Sequence, residues 1–487
     1  MLESMLEQQK KNLERIINMK VGPFIRSKNS THKIMNRVLF ALIPIIIFSF
    51  YKNGIIPFLN NNTNVYGMLK PLIFVVLGAL FTYVLEKLGA RFFLKKKDKE
   101  LDEYMKKSFS ILPGIFLSLV LPINTPIWVL LFGCIVTVFL GKMIYGGFGN
   151  NIFNPALVGC LFTLTIYSGV ILSNGGYLNS YEIDTISSAT PLSNAKVVGI
   201  GTYEDLVSPY GSLKNFLLGF IPGTIGETSA LLCIIAYIYL CYKKVIKKKI
   251  PILYVGTVFL LSLIIGRING LGIWYPVFQI LSGGLLFGAV FMATDPVTSP
   301  VTPIGQFIYS IGLGILTVTF RHITPYPEGV LTSILTMNML VPILDNFGSI
   351  ARGKIKKYSI VFIIIILFGI GLANYIGNNY KNPKTDSNFE IIEVTKKENN
   401  TIYTVSQKGN GGPIKAKITV EKDVITNIEI LSQNETPSYY QKVEEEKFMS
   451  KLINNKNIDE VDTVSGATIT SKALKQMALN VLLEERS

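Results

Sequence analysis

The chain has 487 residues, of which 49% are hydrophobic and 16% charged, and its mean hydropathy is positive at +0.41. That balance argues against a string of soluble domains and for a polytopic membrane protein. The net charge of +15 sits in short Lys/Arg runs between apolar segments. Such runs orient a chain in a membrane, so nucleic-acid binding is not their reading.

Residues 1–37 read as a cytoplasmic amphipathic segment, with Leu2, Met5, Leu6, Leu13, Ile16 and Ile17 at helical spacing. It suits a helix on the cytoplasmic membrane face, packing against the bundle being the alternative, and no secretory signal peptide is expected. The four cysteines, Cys134, Cys160, Cys233 and Cys241, lie in or beside apolar segments, and none forms a C-x-x-C. That pattern argues against an iron–sulfur site, a zinc site or a disulfide framework.

Between residues 38 and 376 apolar stretches recur that predict about eleven crossings, with a short or broken pair at 110–140. Arg26, Lys28, Lys33 and Arg37 precede the first, and the Asn60–Asn64 loop after it is nearly free of basic residues, which predicts a cytoplasmic N-terminus. Alternation then places the clusters Lys95–Lys97, Lys243–Lys249 and Arg352–Lys357 on that same side, and the polar segment 173–213 on the other. Trp128 and Trp274 fall near the outer ends of their spans, as an aromatic belt would place them. Five spans out and five back, over 38–357, give an inverted 5+5 repeat. A further span at 358–376 carries the rest of the chain outside.

Two Pro-containing stretches, Gly146–Ala156 and Ala293–Pro300, predict broken backbone at membrane depth, where cofactor or ion sites are expected. Glu227 and Asp295 are acids at that depth and so ion-pathway candidates, with capping of a broken helix as the competing role. Asn154-Pro155-Ala156 has the three residues of the water-channel pore motif, but without a second copy. His32 and His322 read as surface residues. Residues 377–408 read as a polar linker, and 409–487 as a small α+β domain. In that domain 414–431 alternates like a β-hairpin, a helix is predicted over 440–452, and Leu474, Met477, Ala478, Val481 and Leu482 predict a helix beginning near Ser471.

Just before that helix the chain reads Asp462-Thr463-Val464-Ser465-Gly466-Ala467-Thr468, with a looser copy at Asp184-Thr185-Ile186-Ser187-Ser188-Ala189-Thr190. Asp, Ser and Thr ahead of a helix are ordinary caps. The stretch also resembles the Asp-x-x-Ser/Thr-Gly-Ala-Thr signature of bacterial flavoproteins in which a transferase joins FMN, through its phosphate, to the last threonine. The resemblance implies FMN on Thr468 and Thr190. It makes Asp462, Ser465, Gly466 and Ala467, and likewise Asp184, Ser188 and Ala189, the recognition signature. Ser188 stands where the signature has glycine.

The resemblance widens with Phe24–Ser27, Gly146–Ala156, Ser188–Leu192, Gly223–Ser229, Phe291–Pro300, Glu328–Val330 and Met337-Asn338. These resemble the D subunit of the Rnf electron-transport complex and, more distantly, the B subunit of the sodium-translocating NADH:quinone reductase. Residues 409–485 resemble the FMN-binding domain of the Rnf G subunit. The resemblance implies a membrane flavoprotein subunit in the cytoplasmic membrane, surrounded by lipid. It would work with other Rnf subunits and a flavin transferase to couple electron flow between ferredoxin and NAD to sodium or proton movement. Members also carry a non-covalent riboflavin, for which no residue here assigns a site. Two other functions fit the same pattern: an inverted-repeat transporter or channel with a flavin sensor, and an anchored outward-facing flavin reductase. With no G-x-G-x-x-G after a strand, no P-loop and no cluster-binding cysteine set, electrons must pass to other subunits.

Overall fold

The structure is a computed structural model. It describes residues 30–177, 190–227, 229–324, 328–351, 353, 355–379, 389–397, 400–409, 412–421, 424–434, 437–453, 455, 458, 461–464 and 467–485. Residues 1–29 of the N-terminal segment therefore lie outside the described residues, as do Asp184, Ser188, Ala189, Ser465 and Gly466, whereas 31–37 open the first helix.

The first repeat opens with α1 (Thr31–Leu59) and α2 (Val65–Phe92). Ser30 and Asn64 cap them, their side-chain oxygens accepting the Lys33 and Gly67 N–H groups. There follow α3 (Asp98–Ser108), α4 (Ile111–Val120), α5 (Ile127–Tyr145) and α6 (Pro155–Ser173). Helices α2 and α4 touch through Gly78 and Gly114, where a Cβ on either would strike the other's carbonyl. Removing side chains lets backbones approach, which is how helices gain packing energy in lipid.

Three short helices, α7 (Pro191–Val198), α8 (Tyr203–Leu206) and α9 (Leu213–Leu218), lead to the second repeat. That repeat consists of α10 (Ala230–Tyr242), α11 (Lys249–Ile268), α12 (Trp274–Leu281), α13 (Leu285–Met292), α14 (Pro303–Ile323) and α15 (Val330–Ile350). Helix α16 (Ile355–Asn379) follows.

The two repeats share a packing plan. In the first, α2 packs on α4 and α5, and α5 on α6; in the second, α11 packs on α12 and α14, and α14 on α15. Each holds a break at the same place, between α3 and α4 and between α12 and α13. The second break bends the chain by 65°. Among the described residues eight helices are long and apolar enough to cross a membrane, and the bent pair makes nine. The other two predicted crossings are α4, with 10 residues, and α10, with 13. Both are short of the roughly 20 residues a full crossing needs, and each is completed by non-helical backbone. Gly226 N–H, for instance, donates to Leu119 O at 2.7 Å ahead of α10.

The C-terminal domain is a four-stranded antiparallel meander, ordered β1 (Glu390–Lys397), β2 (Asn400–Lys408), β3 (Pro413–Glu421) and β4 (Val424–Gln433). The predicted hairpin is β3–β4. Of the residues read as a linker, 377–408, the described ones form the end of α16 and two strands, with 380–388 and 398–399 outside the described residues; β1 and β2 pair with each other, and β2 with β3. One face of β3, Ile414, Ala416, Ile418 and Val420, is buried, and burying a branched apolar side chain contributes roughly 1.5–3 kcal/mol. Helices α17 (Pro437–Glu445) and α18 (Phe448–Leu452) divide the predicted 440–452 helix, and α19 (Thr468–Glu485) closes the core. Leu474, Met477, Ala478, Val481 and Leu482 are all buried in it.

Candidate functional site

Three places gather the chemistry: the two breaks and the start of α19. Helix direction defines two ends of the bundle. The basic end carries Lys95–Lys97 and Lys243–Lys249; the far end carries Trp128, Trp274 and α7.

At the basic end the first break is plugged by a lysine. Lys142 Nζ donates to Ser108 O and Oγ, both at 2.7 Å, and pairs with Glu86 Oε2 at 2.8 Å. Ser108 Oγ and Tyr104 OH also donate to Glu86. Lys142, Glu86 and Ser108 are at most 2% exposed, so charge is matched by charge and each Glu86 carboxylate oxygen has a donor. Next to it lies a cavity of about 80 Å³ walled by Phe109, Phe116, Phe148 and Phe291 and edged by Asn154 and Asp295. The two Pro-containing stretches thus meet at one cavity. Asp295 accepts from Val297 N–H at 3.2 Å and Thr298 Oγ1 at 3.3 Å, the capping role that competed with an ion role. Asn154 caps α6 by accepting from Ala156 N–H at 3.2 Å.

At the far end the second break has its own cationic plug. Arg321 Nη1 donates to Gln279 O and Nη2 to Ser282 O at 3.1 Å, the terminal carbonyls that α12 leaves without helical partners. Its Nε reaches Glu328 O at 3.2 Å. Two carboxylates press on the glycines of the break. Gly284 N–H donates to Glu328 Oε2 at 3.1 Å. A Cβ on Gly284 would overlap the Glu227 carboxylate, and one on Gly283 would meet Glu328 Oε1 at 2.6 Å. Gly283 also has φ +64°, so glycine is required there twice over.

His322, read as a surface residue, is 5% exposed. Its Nδ1–H donates to Val318 O at 2.8 Å, which leaves Nε2 to accept from Tyr275 OH at 3.0 Å. His32 is exposed, as read. Lys196 of α7 donates to His322 O at 3.0 Å, and partial burial lowers its ammonium to about 8. Leu192 Cδ1 lies against Gly283. Helix α7 is therefore docked on the break, and its N-cap is Thr190.

The Thr190 hydroxyl accepts from Ser193 N–H at 3.2 Å, stands 2.8 Å from Ser193 Oγ, and the residue is 7% exposed. It is a working cap, and a phosphoester there would have to release that bond to the first turn of α7. Thr468 opens the 18-residue α19, whose first turn has no acidic residue to oppose a phosphate. Ahead of it Asp462 is exposed, Val464 and Ala467 are buried, and Ser471 Oγ ties the loop by accepting from Val464 N–H and donating to Ala467 O, both at 3.0 Å. The start of α19 thus fits a phosphate-linked group: a helix N-terminus, a small neighbour and a pinned loop.

The structure brings Thr190 and Glu227 to one break and puts Asp295 at the other end. Sequence reasoning missed Glu86, Lys142, Arg321 and Glu328 as site residues. An ionisable residue amid apolar ones was the available signal for Glu86, Lys142 and Arg321.

A two-repeat helical membrane body with a cation-plugged break in each repeat, followed by an appended antiparallel α+β domain, defines a polytopic membrane protein of the transport type. Residues 18–352 match the NQR2, RnfD, RnfE family, and the chain belongs to it. Residues 409–483 match the FMN-binding domain. The chain is 35% identical over 334 residues to the D subunit of the proton-translocating ferredoxin:NAD(+) oxidoreductase complex of Clostridium ljungdahlii, covering 68% of this chain and 94% of that one. It is 33% identical over 326 residues to the Na(+)-translocating counterpart of Acetobacterium woodii, covering 67% and 92%. To the B subunit of the Na(+)-translocating NADH-quinone reductase of Chromohalobacter salexigens it is 32% identical over 265 residues, covering 52% and 62%.

Proposed function

We propose that this chain is a flavin-carrying subunit of an ion-translocating ferredoxin:NAD oxidoreductase in the cytoplasmic membrane. Its N-terminus and basic end face the cytoplasm, and its FMN-binding domain lies outside. FMN, joined through its phosphate to Thr468 and Thr190 by a flavin transferase, supplies one- and two-electron redox chemistry. The chain's own residues hold and place it. The N-terminus of α19 receives the phosphate of the Thr468 adduct, exposed Asp462 is read by the transferase, and α7 holds Thr190 against the second break. Electrons come from and go to other subunits of the complex.

One observation carries the reading. Helix α16 runs from the basic end to the far end, where Asn269 Nδ2 at the end of α11 donates to Gly377 O at 3.0 Å. That puts the end of α16 at the end of the membrane body at which Thr190 lies, which supports an FMN-binding domain on that side.

In-gel flavin fluorescence of denatured membranes tests the attachment. Wild type is expected to fluoresce, Thr190→Val and Thr468→Val each to lose part of the signal, and the double variant to lose all of it. Fluorescence surviving in the double variant overturns both assignments; full signal in one single variant leaves that threonine a cap.

A further inference from the structure

At the far end a groove of about 610 Å³ opens between α2 and α5. Its α2 wall is a single helical stripe, Tyr66, Lys70, Ile73 and Phe74, spaced i, i+4, i+7 and i+8. Its α5 wall is Ile127, Trp128 and Leu131. The chemistry of the groove changes with depth. Tyr66 and Trp128 are more than half exposed and stand at the far ends of their helices, where aromatic side chains mark the boundary between headgroups and hydrocarbon. Ile73 and Leu131 lie roughly 5–10 Å deeper, at about 1.5 Å per residue.

Between these two levels sits a half-buried cation, Lys70. The rule that gathers lysines at the basic end does not account for one at the far end. Its Nζ donates to Asn124 Oδ1 at 2.6 Å. The turn that carries Asn124 is itself fixed, because Asn124 N–H donates to Gly176 O at 3.1 Å and Thr125 Oγ1 to Pro122 O at 2.8 Å. Asn124 thus ties the ammonium over the groove instead of leaving it to snorkel into water. An ammonium has three N–H donors, and among the described residues only Asn124 takes one. No described carboxylate pairs with Lys70, and no wall residue of the groove is acidic. Tyr66 and Trp128 add an O–H and an N–H donor beside it. The groove is therefore complementary to an anionic head joined to an apolar tail. A soluble anion would leave the apolar walls without a role, and a neutral lipid would leave the cation without one.

We infer that this groove binds one anionic phospholipid from the membrane leaflet at the far end. Lys70 takes its phosphate through a charge-assisted hydrogen bond, Tyr66 and Trp128 flank the head, and an acyl chain runs down between Ile73 and Leu131. The site depends neither on the flavins nor on the function proposed above.

The test uses the purified full chain, stripped of lipid in detergent and then supplied with phosphatidylglycerol or with phosphatidylcholine of the same acyl chains. Native mass spectrometry counts the bound lipid, and thermal unfolding is followed in parallel. Wild type is expected to hold one phosphatidylglycerol about tenfold more tightly than phosphatidylcholine, with a saturable rise in Tm. Lys70→Gln loses that preference and Lys70→Arg keeps it. Leu131→Trp fills the groove without touching the charge, and is expected to weaken both lipids about tenfold. Arg267→Gln removes an exposed cation at the far end of α11 and keeps the wild-type response. Equal affinity of wild type for the two lipids, or an effect of Arg267→Gln as large as that of Lys70→Gln, overturns the proposal. So does competition by glycerol 3-phosphate at the affinity of the lipid, which would make the groove a site for a soluble anion. In the purified complex, release of a protein subunit instead of lipid by Leu131→Trp would make the occupant a protein and overturn it as well.

Discussion

Ser471 and Lys142 show how single side chains hold a site. Ser471 sits one turn into α19 and reaches back to both ends of the Val464–Ala467 loop. Ser471→Ala removes both bonds and frees the backbone that presents Thr468. In a Thr190→Val background, where only Thr468 contributes, flavin fluorescence per chain is expected to fall severalfold with the fold intact by circular dichroism. Ser471→Thr restores it, and undiminished fluorescence in the alanine variant would remove Ser471 from the attachment site. Lys142 is a different case, because its partner is a buried carboxylate. Lys142→Met strands Glu86 and is expected to destabilise by roughly 3–5 kcal/mol, whereas Glu86→Gln with Lys142→Met costs much less. A thermal-unfolding double-mutant cycle reads that coupling. Additive losses would show that the pair is not the plug.

At the scale of elements, what was legible followed periodicity and charge. Alternation in 414–431 gave β3 and β4, because one face of that hairpin is buried and the other is wet. The apolar runs together with the Lys-rich loops gave the long helices and their directions. Strands β1 and β2 were hidden by composition: Asn, Lys and Thr crowd 380–401, and β1 at the sheet edge also slips register between Ile391 and Glu393. The breaks were legible as glycine and proline clusters, but their plugs were not. Lys142 and Glu86 are 56 residues apart, and Arg321 and Gln279 are 42 apart. No local rule couples such pairs. His322 was misread because Arg321-His322 at a helix end looks like a solvated cationic cap; Tyr275, on α12, is what covers it. The motif at Thr190 was legible as a resemblance and as an ordinary cap, and the hydrogen bonds of α7 show the cap.

For the whole molecule, everything turns on the parity of one helix. The ten predicted crossings of the inverted repeat return the chain to the basic end, and α16 is the one further helix long enough to cross again. A C-terminal tag on the full chain should therefore react with a membrane-impermeant reagent in intact cells. Deleting 358–376 should hide the tag until the membrane is permeabilised. Attachment makes the stricter demand, because under the proposed function the transferase meets its substrate on the outer side only. The deleted chain keeps the 462–468 signature and the residues of β1 to α19, yet it should lose flavin at Thr468 while Thr190 keeps its own. In-gel fluorescence of the deletion, alone and combined with Thr190→Val, separates the two sites. If Thr468 is still labelled in the deleted chain, α16 is not what sets the side of the flavin domain, and the two threonines need not share a face of the membrane.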